Sequence, residues 1–131
     1  MFRTVLSLLA GYLTIVVIMI AGQVTLYLTG NTPDDPSQLT STHLMWNQVT
    51  TILAAFMGGV MTATVAFRKA FAHAVGLAGI VFLLGIGNTT RLWHLLPHAY
   101  LLTILALNAP MIMLGGWIKS RIRRPSPVHA D

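Results

Sequence analysis

Residues 44–87 read LMWNQVTTILAAFMGGVMTATVAFRKAFAHAVGLAGIVFLLGIG. Two long uncharged runs flank a single cationic pair, Arg68-Lys69. Crossing a hydrocarbon core of about 30 Å takes roughly 20 helical residues. The run 44–67 exceeds that length, and 70–87 nearly reaches it if Arg68 and Lys69 snorkel to the interface. Backbone groups in lipid have no water to bond, so each run must close its own hydrogen bonds as a helix. The apolar residues do not alternate with polar ones, as a membrane β-strand requires. A two-residue turn between two spans predicts an antiparallel pair packed as neighbours.

The same reading extends outward to uncharged runs at 4–28 and 97–118. Across all 131 residues, 55% are hydrophobic and 8% charged. A soluble domain carries about 25% charged residues, so a water-facing surface is excluded. Disorder of the whole chain is excluded too, because it needs low hydrophobicity and high charge. The expected fold is an all-α membrane protein. A four-helix transmembrane antiparallel bundle occupies 1–119, and a basic, disordered cytoplasmic tail occupies 120–131.

The few charges predict the orientation. With four spans, Arg3, Arg68, Lys69, Lys119, Arg121, Arg123 and Arg124 all fall on one side. Arg91 alone lies opposite, with Asp34 and Asp35 in the loop 29–45. The positive-inside rule makes the cation-rich side cytoplasmic, with both termini inside. Trp46 and Trp93 at the outer ends, and Trp117 at the inner end, read as an aromatic belt. The first apolar run exceeds the 7–15 residues typical of a signal-peptide core, so an uncleaved anchor is expected.

Span two carries the strongest packing signal. Ala54, Gly58, Thr62 and Ala66 form one row at i,i+4, and Ala55, Gly59 and Ala63 form the row beside it. Such small residues let a second helix approach closely, gaining dispersion contacts that lipid does not supply. Span three offers Ala72, Gly76 and Gly79, span four ends on Gly115-Gly116, and span one carries Ser7 and Gly11. These faces serve bundle packing, and one left over would dock another protein. Asn108-Ala109-Pro110 lies inside span four, where Pro110 removes a backbone bond and predicts a kink.

Candidate chemistry is sparse. An ionisable residue inside a span is a default functional hypothesis, and no span has one in its central part. The chain contains no glutamate and no cysteine. Its size and span count resemble small four-helix multidrug exporters, whose coupling depends on a membrane-embedded glutamate that this sequence lacks. The embedded polar side chains Gln23, Asn47, Gln48, Thr62 and Asn108 suit interhelical hydrogen bonds. A polar transport path would require Gln23, Asn47, Gln48 and Asn108 to meet between helices.

His43, His94 and His98 fall on the outer side. His94 and His98 have the four-residue spacing at which two imidazoles share a metal on an unbroken helix, but Pro97 lies between them. No metal site is therefore predicted. His73 and His98 sit in first turns of spans three and four, where the alternative role is axial ligand to haem or chlorophyll; no cofactor is predicted. Met57, Met61, Met111 and Met113 read as adaptable packing rather than copper ligands. Asn88-Thr89-Thr90 matches a glycosylation sequon, a short pattern common by chance.

Leu9-Ala10-Gly11-Tyr12 near the start resembles small bacterial four-span inner-membrane proteins, as does Leu114-Gly115-Gly116-Trp117 with basic residues after it. That resemblance implies residence in a bacterial inner membrane and brings no activity. The expected function is a non-enzymatic accessory or stabilising subunit of a larger membrane complex, respiratory or photosynthetic. The alternatives are a small homo-oligomeric transporter or channel and a pigment- or haem-bearing subunit. Expected partners are the bilayer, other transmembrane subunits and, at the basic tail, anionic lipid rather than nucleic acid.

Overall fold

The structure, a computed structural model, describes residues 2–30, 39–66 and 69–122. Four helices account for nearly all of them: α1 (Phe2–Leu28), α2 (Ser41–Val65), α3 (Ala70–Leu92) and α4 (His98–Ile122). All four are long and apolar enough to span a membrane, and the described residues contain no strand.

The ends have local causes. The Thr40 hydroxyl accepts from the backbone N–H of His43 and caps α2. Lys69 adopts a left-handed conformation, φ 53°, turning the chain sharply into α3. Pro97 precedes α4, where its fixed φ suits a helix start.

Two boundaries correct the sequence reading. α3 continues past 87 to Leu92, so Asn88-Thr89-Thr90 is helical rather than a link. The Thr90 hydroxyl donates to the Gly87 carbonyl 2.9 Å away, and Arg91 occupies the last turn, where a cation complements the helix dipole. α4 likewise continues through Ser120 to Ile122, residues assigned to the tail. Ser120 donates to the Trp117 carbonyl at 2.7 Å, and the Arg121 guanidinium lies 4.9 Å from the Trp117 ring centroid. Arg68, Arg123, Arg124 and the rest of the expected tail lie outside the described residues.

α2 is the centre of the bundle. Its two small-residue rows point to different neighbours, as adjacent rows on a helix must. Ala54, Gly58, Thr62 and Ala66 are buried, and Gly58 meets Gly11 and Ile15 of α1. Ala55, Gly59 and Ala63 are also buried, and Gly59 meets the backbone of Ile112 in α4. Gly115 of α4 lies against the Phe56 carbonyl, and Gly116 against Ala74 of α3.

These contacts order the helices around the bundle as α1, α2, α4, α3. Helices consecutive in sequence run antiparallel, while α2 and α4 run parallel as close neighbours. α2 therefore packs more extensively on α1 and α4 than on α3, its expected partner across the short turn. The turn brings two helix ends together; the small-residue rows decide which helices press together along their length. α1 and α4 stand at opposite corners, with no Cα pair within 8 Å.

Candidate functional site

Three helices share one hydrogen-bonded hub at the bundle end that carries the 93–97 link. The Gln23 amide donates to Asn47 Oδ1 at 2.9 Å, and Asn47 Nδ2 donates to the Tyr100 hydroxyl. Beside it, Thr51 donates to the Asn47 carbonyl at 2.7 Å, and the Trp46 indole donates to the Gly22 carbonyl at 3.2 Å. The spacing that permits this is simple. Gln23 lies five residues before the end of α1, and Asn47 six residues after the start of α2, at matching depth.

The hub borders a cleft of about 290 Å3 lined by all four helices. Asn47, Thr51, Asn88, Thr89 and Tyr100 line it toward the bundle end that carries the 93–97 link, and Asn108 lines it nearer the middle of α4. Tyr100 and Asn108 are eight residues apart on α4, about 12 Å along the axis. Asn108 Oδ1 is buried and has no hydrogen-bond partner. Between these polar groups the walls are apolar, with Ile15, Ala55, Val81 and Ile104 among them.

α1 lines the cleft through Tyr12, Ile15 and Met19, and α3 through Val81, Leu84 and Gly85 among others. In the other half of the bundle these helices touch: His73 Nε2 lies 3.2 Å from the Thr4 hydroxyl, and Leu77 reaches Gly11. Among the cleft-lining residues, Tyr12 is 39% and Leu84 55% exposed. Toward the chain termini the cleft ends on a packed cluster of Ala55, Leu77, Ala78 and Ile112, each at most 3% exposed.

Of the four polar residues of the expected transport path, Gln23 and Asn47 bond directly, and Asn108 shares the cleft with Asn47; Gln48 is not part of its lining. Tyr100, which joins them, was not singled out in the sequence, because a tyrosine near a span end reads first as interfacial.

The packing residues divide. Ala55, Gly58, Gly59, Thr62 and Ala63 are all buried in α2 contacts. Gly76 and Gly79 are exposed, which corrects their expected place in internal packing. A Cβ on Gly76 would find only Leu8, at 3.7 Å, and one on Gly79 would find nothing within 4 Å. The row of α3 that packs inward is Ala74 and Ala78, with Leu77.

His73 and His98 are engaged locally. His73 Nδ1 faces the Lys69 carbonyl at 3.0 Å while Nε2 faces Thr4. The His98 ring stacks on Trp93 at 4.2 Å, with Nε2 3.1 Å from the Trp93 carbonyl. An axial-ligand role through Nε2 would have to break the contact to Thr4 at His73 or to the Trp93 carbonyl at His98. His43 lines a separate small pocket between the end of α1 and the start of α2, and His94 is exposed. Among the described residues no three histidine or acidic side chains converge as a metal site needs.

The cations Arg3, Lys69, Lys119 and Arg121 lie at the end of the bundle that carries the chain termini, and Arg91 lies at the other. Compared with known protein families, curated proteins and solved structures, the chain matches none.

Proposed function

We propose that this chain is a non-enzymatic subunit of a larger assembly in a bacterial inner membrane, held there by helix–helix packing. The observation that carries this reading is the outward-facing pair Gly76 and Gly79 on α3. Small residues facing out of a bundle admit close approach by another helix, which is the main source of association where lipid removes the hydrophobic driving force. The inward small-residue rows are already occupied by α1 and α4. Seven cations on one side favour insertion with both termini cytoplasmic, where the basic tail meets anionic lipid.

A transporter reading has one observation behind it, the convergence of Gln23, Asn47, Tyr100 and Asn108 at a cleft. Its path would have to continue through the closed cluster around Leu77 and Ile112. That cost favours the subunit reading. Purification in mild detergent tests it: the chain should migrate in an assembly well above its own 14.2 kDa, with other membrane polypeptides in fixed ratio. Migration as a monomer, or as copies of itself alone, contradicts it.

A further inference from the structure

Toward the bundle end that carries the chain termini, α3 and α4 leave a shallow groove of about 490 Å3 between them. It is lined by Phe71, Ala109, Pro110, Met113, Leu114 and Trp117. Ala109 and Met113 are half-buried against the core cluster, while Phe71, Leu114 and Trp117 are exposed. The groove has the depth of one leaflet. Pro110 is the middle residue of α4, and Arg121 lies eleven residues on, about 16 Å along the axis. Half of a hydrocarbon core of about 30 Å is about 15 Å. The apolar lining therefore runs from the bilayer middle to the interface, the range that the acyl chains of one phospholipid occupy.

The interfacial end is cationic. The Arg121 guanidinium lies 4.9 Å from the ring centroid of Trp117, which lines the groove. Gly116 meets Ala74, and α3 and α4 run antiparallel. Counting five residues on from Gly116 and five back from Ala74 sets Arg121 and Lys69 level. Both are exposed, and neither cationic group makes a hydrogen bond or ion pair within the chain. A guanidinium resting its face on an indole keeps its edge donors free, and their fork matches a phosphate.

We propose that this groove holds one anionic phospholipid of the leaflet beside the chain termini. An acyl chain lies along Leu114 and Met113 toward Pro110, and the phosphate bonds Arg121, with Lys69 adding charge from α3. Inorganic phosphate would leave the apolar groove unfilled, and a zwitterionic lipid would bring its own cation toward Lys69. The site does not use Arg123 or Arg124 of the basic tail. It is independent of the subunit reading, because it needs only this chain and a lipid.

The test is native mass spectrometry of the full-length protein in detergent, with dioleoyl phosphatidylglycerol, dioleoyl phosphatidylcholine and inorganic phosphate as probes. Wild-type protein should retain phosphatidylglycerol about tenfold better than phosphatidylcholine, the ratio one hydrogen bond to a charged group supplies. Inorganic phosphate at the same concentration should not displace it. Arg121→Gln should bring the two lipids level. Lys119→Gln removes the same charge two residues from Trp117, on another side of α4, and should preserve the preference. So should the tail pair Arg123→Gln and Arg124→Gln. Ala109→Leu places bulk in the groove and should weaken retention of both lipids. Equal retention of the two lipids by wild type overturns the proposal, as does retention of neither or displacement by inorganic phosphate. A preference that survives Arg121→Gln, or that is lost with the tail pair, overturns it as well. The wild-type comparison decides even if a variant fails to fold.

Discussion

Gly59 on α2 faces the backbone carbonyl of Ile112 on α4 with no room for a Cβ between them. The relationship is reciprocated three residues along α4, where Gly115 lies against the Phe56 carbonyl of α2. Two parallel helices thus touch backbone to backbone. Neither contact can relax by rotating a side chain, because the obstructing atoms belong to the main chain.

Gly59→Leu should therefore destabilise the bundle by about 3 kcal/mol or more, the upper part of the overpacking range. Gly115→Leu should do the same. Gly79→Leu, with open space around it, should leave the unfolding midpoint of the isolated protein in detergent unchanged. Equal tolerance of all three variants would contradict the observed packing.

The Asn47 hub makes a different prediction. Interhelical hydrogen bonds in membranes average about 0.6 kcal/mol, because the unfolded chain in lipid also finds partners. A double-mutant cycle of Gln23→Leu with Asn47→Leu should show a coupling of that size, and so should Asn47→Leu with Tyr100→Phe. Strict additivity in both cycles would mean that the hub does not form in the bilayer.

Orientation can be read chemically because the sequence has no cysteine. His94→Cys and Ile122→Cys place single thiols at exposed positions at opposite ends of the bundle. In intact cells an impermeant maleimide should label His94→Cys, and Ile122→Cys only after permeabilisation. The reverse pattern would overturn the proposed cytoplasmic termini.

Span number and the buried rows of α2 were legible because they depend on local properties: apolar length, and small residues repeated at helical spacing. Depth became readable only once the structure started α2 at Ser41, which sets Gln23 level with Asn47. Rotation about each axis was not legible. α3 carries two candidate small-residue faces, Ala72-Gly76-Gly79 and Ala74-Ala78, and spacing alone favours the one with more glycine. The structure turns the alanine face inward, where Ala74 meets Gly116, and leaves the glycines outside. The neighbour order depends equally on non-local fit. A two-residue turn joins α2 to α3, yet the close fit of Gly59 and Gly115 makes α4 the tighter partner.

The outward face of α3 bears the central claim, and photo-cross-linking in native membranes tests it most directly. A photoreactive phenylalanine analogue is placed at Gly79 and, as a control, at the exposed Val24 of α1. The account predicts one discrete heavier product from Gly79, containing a different membrane polypeptide, with no such product from Val24. Cross-links from Gly79 to lipid alone, or to a second copy of this chain, would contradict it.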